Sequence, residues 1–170
     1  MRAMMLHELG PIDEHRPPLR AVEIDTPTPG EGQIRIEVST CGVCHTELDE
    51  IENRTPPPHL PVIPGHQVVG RVAECGRGAR RFEPGARVGV AWIFDACGQC
   101  EFCRNGRENL CPDFRATGRD THGGYAESMV VGEDFAHEIP SGIDDLNAAP
   151  LLCAGAIGHR SLKLTGVEDG

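Results

Sequence analysis

The chain has 170 residues, a formal net charge of −10 and 39% hydrophobic residues, the profile of a globular protein with one sizeable core. The acidic excess is spread along the chain and repels phosphate backbones, which argues against nucleic acid as a partner. The longest apolar stretch, Ala148 to Gly158, is too short to cross a bilayer, and MRAMMLHELG lacks the apolar run of a signal peptide, so a cytoplasmic location without a membrane partner is expected.

Gly and Pro are abundant and aromatic residues sparse, which favours short strands and many turns. The turn cluster TPTPGEG precedes QIRIEVST at 33–40, where Ile34, Ile36 and Val38 share one face and Arg35 and Glu37 the other, the alternation of a half-buried strand. The proline-rich run NRTPPPHLPVIP at 53–64 excludes a helix or a central strand and predicts a long irregular loop. Val68 to Val72 reads as a strand, with Gly70 marking a bulge or a close backbone approach. The turn at FEPGAR feeds a strand predicted over Val88 to Ile93, and Tyr125 to Val131 reads as another. Ser141 or Asp144 is expected to cap a short helix. Pro150 is expected to open a second helix, from Leu151 to about Leu164, closed by Gly166. The sum is a mainly β chain with short helices, its strands forming an irregular, barrel-like body and its helices gathered at the C-terminal end.

Eight cysteines without a secretion signal point to reduced thiols, and reduced thiols at short spacing point to metal. Cys97, Cys100, Cys103 and Cys111 stand in CGQCEFCRNGRENLC, close enough to form a tetrahedral thiolate cage from one loop, with Gly98 and Gly106 letting the backbone turn around an ion. An iron–sulfur cluster is the rival, since Cys111-Pro112 matches a ferredoxin ending; the long last gap and the lack of a second cluster motif favour zinc. A site closed by four thiolates has no position for substrate, so its expected role is to pin the loop. The other candidate ligands are Cys41, Cys44, His45, His66, Cys75 and Cys153. By spacing alone Cys41-Gly-Val-Cys44 is either half a zinc knuckle or a redox pair.

CGVCHTEL at 41–48, PGHQVVGRVAECG at 64–76, the four-cysteine run and PLLCAGAIG at 150–158 occur in an order that resembles the zinc-dependent medium-chain alcohol dehydrogenases. FEPGARVGV and GGYAE fit the same family, and the resemblance runs from about Gln33 to Gly170. It implies a GroES-like β-barrel catalytic domain over 1–150. It also implies a C-terminal segment, 151–170, holding a helix and the start of a link to a dinucleotide-binding Rossmann domain. It implies that Cys44, His66 and Cys153 hold a catalytic zinc with one position open, and that the four-cysteine run holds a structural one. Cys41 and Cys75 are then small buried hydrophobes.

By the same resemblance Thr46 takes the alcohol proton, His45 approaches the cofactor pyrophosphate, Glu47 orients His66, and Trp92 either lines the substrate pocket or packs in the core. Three positions depart from the family. Gln67 stands where Glu is usual beside the zinc. Glu47 is one methylene longer than the usual Asp. Asp49 stands where many members end a proton relay in His. No G-x-G-x-x-G follows a strand, so NAD(P) is implied by the resemblance alone and its domain is expected to lie outside the chain. The chain is therefore expected to be part of a longer enzyme, or inactive in isolation. The leading expectation is an oxidoreductase interconverting a small alcohol and an aldehyde or ketone, as a homo-oligomer in its full-length form if family dimers and tetramers are a guide. The alternative is a non-catalytic GroES-like zinc-binding module.

Overall fold

The structure, a computed structural model, describes residues 1–13, 15 and 17–167. It is mainly β, as the composition suggests. Its strands are β1 (Arg2–Leu6), β2 (Leu19–Glu23), β3 (Gln33–Cys41), β4 (Val68–Cys75), β5 (Arg87–Val90), β6 (Ile93–Asp95), β7 (Arg115–Ala116), β8 (Ser128–Gly132) and β9 (Ala136–Glu138). Its helices are α1 (His45–Ile51), α2 (Glu101–Arg104), α3 (Asp145–Ala148) and α4 (Ala154–Thr165). Among the described residues no helix is long and apolar enough to cross a membrane.

The main sheet is antiparallel, in the order β8-β3-β4-β5-β9, and it curls around one core. Ile34 and Ile36 of β3 are fully buried there with Val68, Val72, Val88, Val90, Met129 and Val131. The expected alternation of β3 holds at its first residues, while Val38 is half-buried where the strand bulges. The bulge lies opposite Gly70, where a Cβ would sit 2.2 Å from the Glu37 carbonyl oxygen, so only glycine fits this close approach. Val69 points to the other face, onto Ala148 and Ala149. Both faces of β4 are thus covered at its start, which explains the adjacent buried Val68 and Val69, whereas Arg71 and Glu74 further along are exposed.

Several elements differ from the sequence reading. The strand expected over Val88 to Ile93 is broken into β5 and β6, because Thr117 donates its backbone N–H to the Trp92 carbonyl and its hydroxyl to the Ala91 carbonyl, both at 2.8 Å. The ladder therefore changes partner, from β4 to β7, at those two residues. The strand expected from Tyr125 starts only at Ser128, since Tyr125 accepts from Met4 and Glu127 donates to Arg2, tying that stretch to β1. The second C-terminal helix is two pieces, a 3₁₀ turn over Ala149–Leu152 and α4, separated at Cys153 (φ −130°, ψ −82°). Asp144 caps α3, accepting from Asn147 N–H at 2.9 Å, and Gly166 closes α4. The end of the 151–170 segment, residues 168–170, lies outside the described residues.

β1, β2 and α1 were not anticipated. In α1 the buried face is Glu47, Glu50 and Ile51, so an acidic face goes inward where an apolar one is looked for.

Candidate functional site

The register of β3 against β4 builds the first half of the site. Cys41 pairs with Val68, and beyond that pair Gly42 N–H donates to the Gln67 carbonyl at 2.9 Å. Residues just after β3 thereby lie beside residues just before β4, so Cys44 and His66 share one end of the sheet. Cys44 then caps α1, and the Glu47 carboxylate accepts its N–H at 2.7 Å, half of a capping box. Cys153 comes from the far end of the chain. The 3₁₀ turn before it is anchored by Ala149 under β4, and the kink at Cys153 turns its sulfur toward Cys44.

The three ligand atoms of Cys44, His66 and Cys153 lie within 4.8 Å of one another. Cys44 Sγ and Cys153 Sγ are 3.8 Å apart. Two thiolates on a tetrahedral zinc, at the usual bond length, stand about 3.8 Å apart. His66 is fully buried, its Nδ1 lies 2.6 Å from Glu47 Oε1, a close contact outside ideal hydrogen-bond geometry, and its Nε2 has no hydrogen-bond partner. A buried imidazole nitrogen without a partner is costly unless something fills its lone pair. Burial first, and then the nearby Cys44, push the Cys153 thiol up to about 11. A divalent cation would reverse that cost. The donor set therefore fits a metal ion with one position left open.

His66 and Cys153 line a cleft of about 880 Å³, together with Thr46, Trp92, Leu152 and Ile157 among others. Thr46 Oγ1 is 3.5 Å from Cys44 Sγ. The Trp92 ring meets the His66 imidazole edge-on, with centroids 5.0 Å apart. Gln67 is buried against Gly42, where a Cβ would stand 2.7 Å from Gln67 Oε1. His45 is exposed, with Nε2 3.6 Å from Asp49, and Arg54 Nε holds the same Asp49 oxygen at 2.5 Å.

Cys97, Cys100, Cys103 and Cys111 form the second group of ligand atoms within 4.8 Å of one another. Sulfur separations include 3.9 Å between Cys97 and Cys103 and 3.5 Å between Cys100 and Cys103. The loop turns through Gly98 (φ +69°) and Gly106 (φ +66°), as expected. Backbone N–H groups of Gln99 and Cys100 point at Cys97 Sγ and hold its thiol down at about 7. This loop contributes Gly98, Cys103 and Glu108 to the rim of the same cleft.

Cys41 joins neither group; it packs against the main core, and burial pushes its thiol up to about 12. Cys75 packs against that core too and donates to the Phe82 carbonyl at 3.3 Å. The sequence reading passed over Glu50 and the Arg119–Asp120 pair. Glu50 lies on the buried face of α1, and burial, then the Glu47 charge, raise its carboxyl to about 8. Nothing in spacing or composition singles these residues out, because burial and stacking distinguish them only in the folded chain.

Residues 30–141 match the alcohol dehydrogenase GroES-like domain. A Mycobacterium tuberculosis protein named as a probable alcohol dehydrogenase is 46% identical over 175 aligned positions, which cover 100% of this chain and 50% of that protein. The solved structure of CAD from Helicobacter pylori, complexed with NADP(H), superposes with a TM-score of 0.84 at 26% identity, covering 100% of this chain and 51% of the other. A thermostable alcohol dehydrogenase of Pyrobaculum aerophilum, solved with cobalt and zinc bound, gives a TM-score of 0.79 at 31% identity over 89% of this chain and 44% of that one. The chain spans about half the length of the curated relatives it matches. Matched over most of its length and in its curled sheet, the chain belongs to the alcohol dehydrogenase GroES-like domain family.

Proposed function

We propose that this chain is the zinc-bearing catalytic part of an oxidoreductase that interconverts a small alcohol and an aldehyde or ketone with NAD(P). The observation that carries the proposal is the donor set of Cys44, His66 and Cys153, two of which, His66 and Cys153, line a cleft large enough for a small organic molecule. Zinc held there supplies a Lewis acid, which makes an alcohol easier to deprotonate and a carbonyl easier to reduce. Related structures solved with zinc and with NADP(H) support this choice of cofactors.

Each residue has a task in this reading. Cys44 and Cys153 supply the sulfur ligands, and His66 supplies Nε2. Glu47 holds His66 through Nδ1 and holds Cys44 through its N–H, so one carboxylate sets the orientation of two ligands. Its extra methylene is accommodated because it reaches both groups from the first turn of α1. Thr46 takes the alcohol proton at Oγ1. Asp49 is the outer end of that proton path, in contact with Arg54 and His45. The exposed His45 meets the cofactor phosphates, and Trp92 limits the space beside the reacting carbon. Gln67 offers a neutral oxygen behind the zinc in place of a charged one.

The four-cysteine site holds a second zinc, which pins the loop at the cleft rim. A purely structural module accounts for that site but not for an open donor set facing a cleft. The test is zinc content together with turnover. In a form joined to a dinucleotide-binding domain, alcohol-dependent reduction of NAD(P) is expected, and Cys153→Ser should remove it along with one zinc of two. A fully zinc-loaded form that oxidises no alcohol and reduces no aldehyde would overturn the enzyme reading.

A further inference from the structure

Arg119 occupies a place that the proposed chemistry leaves unexplained. Its guanidinium carbon lies 5.4 Å from the centroid of the Trp92 ring and 5.8 Å from that of Phe114. The guanidinium thus contacts both rings. Asp120 fixes the guanidinium by two parallel hydrogen bonds, from Nε at 2.9 Å and Nη2 at 2.8 Å. Asp120 is itself fixed, since its Oδ2 accepts the Ala116 N–H at 2.7 Å from β7. A continuous set of contacts therefore runs from the β7 backbone through Asp120 and Arg119 to Trp92, whose other neighbour is the His66 imidazole.

We infer that Arg119 is a positioning residue: it sets the tilt of the Trp92 ring and so the width of the cleft beside the Cys44–His66–Cys153 site. The break between β5 and β6 makes such a device necessary. At Trp92 the backbone leaves the sheet, and its carbonyl accepts the Thr117 N–H. The ring is half-buried in the cleft wall, so the backbone alone leaves its side chain free to turn. A flat cation held by a bidentate carboxylate supplies a rigid surface for an aromatic face. Lysine, a point charge on a flexible stem, supplies a weaker one. The consequence for ligand choice rests on the active-site reading of the cleft: a fixed ring favours flat or slender groups beside the metal and disfavours branched ones.

Trp92 is the only tryptophan of the chain, so its fluorescence reports this ring alone. The experiment compares the zinc-loaded chain with Arg119→Met, Arg119→Lys and Asp120→Asn. In Arg119→Met, acrylamide quenching of Trp92 should rise about two- to threefold and its anisotropy should fall, with zinc content unchanged; Arg119→Lys should restore part of both. A zinc-replete Arg119→Met with unchanged quenching and anisotropy would overturn the inference. If that variant does not fold, Asp120→Asn decides: looser Trp92 signals support the inference, and signals equal to the parent overturn it.

Ligand choice is read with imidazole and 4-phenylimidazole, nitrogen donors for an open zinc position. Arg119→Met should lower the preference for the phenyl form by about three- to tenfold while leaving imidazole affinity unchanged. Equal weakening of both, or of neither, would count against a role in ligand choice. Failure of the parent chain to bind either would sink the open-metal reading, whereas Trp92 quenching would still decide whether Arg119 holds the ring.

Discussion

The two cysteine-containing sites reach similar sulfur geometry by opposite routes. The four-cysteine loop gathers its ligands within a short stretch of chain, around two left-handed glycines, with backbone N–H groups turned toward the Cys97 and Cys100 sulfurs. It can be assembled locally, and it closes its coordination shell. The second site takes its ligands from the end of one strand, the start of another and a kink between two helical pieces. It forms only if the β3–β4 register and the packing of Ala149 under β4 are already correct. In place of backbone N–H groups it has one buried carboxylate, Glu47, bracing two ligands. A local cage stabilises; a site assembled from distant parts can leave one position open.

Ligand removal should separate the two most sharply. Cys153→Ser is expected to abolish turnover in an active form, by at least about a thousandfold, while lowering the melting temperature by only about 2–4 °C. Cys103→Ser should do the reverse in stability, costing about 10 °C or more, because the loop loses the metal that folds it. Thermal denaturation with zinc analysis of both variants checks this. Equal thermal losses would mean that the sites do not divide structure from chemistry.

Chelation should order them as well. Limiting dipicolinate is expected to strip the zinc held by Cys44, His66 and Cys153 first, since that site has an open position through which a chelator can attack. Loss of both zincs at one rate would contradict the contrast. Glu47→Gln is a smaller perturbation, expected to weaken zinc binding at this site about 10- to 100-fold and to leave the four-cysteine site unaffected. Competition with a fluorescent zinc indicator measures both affinities.

The smallest expected effect concerns Glu50. From its ordinary value of 4.5 up to about 8, the folded chain keeps a proton on Glu50 that the unfolded chain releases, owing to burial and to Glu47, with Asp49 and Asp120 adding and Arg119 opposing. Stability should therefore fall as pH rises through that window. Glu50→Gln should remove that loss, so the variant should gain stability over the parent at pH 8 and not below pH 4.5. Urea unfolding at the two pH values tests it.

The legible parts of this molecule were those with local causes. The alternation in β3, the glycine at the bulge, the Asp144 cap and the four-cysteine cage are each written within a few residues. Family resemblance supplied Cys44, His66 and Cys153, because no spacing rule joins residues 44 and 153. The illegible parts depend on partners elsewhere in the chain. Strand β1 is specified by its pairing with β2 and by contacts to residues 62, 125 and 126. The break at Trp92 is imposed by Thr117. Helix α1 escapes a periodicity search because its buried face carries two glutamates, Glu47 and Glu50, beside Ile51.

The central claim is that two metal sites of different kind share one chain, and zinc K-edge absorption of the fully loaded protein tests it most directly. The averaged shell should hold about three sulfurs and one nitrogen or oxygen per zinc, moving to about four sulfurs on one remaining zinc in Cys153→Ser. A shell of four sulfurs in the parent chain, or a sulfur count unmoved by Cys153→Ser, would contradict it.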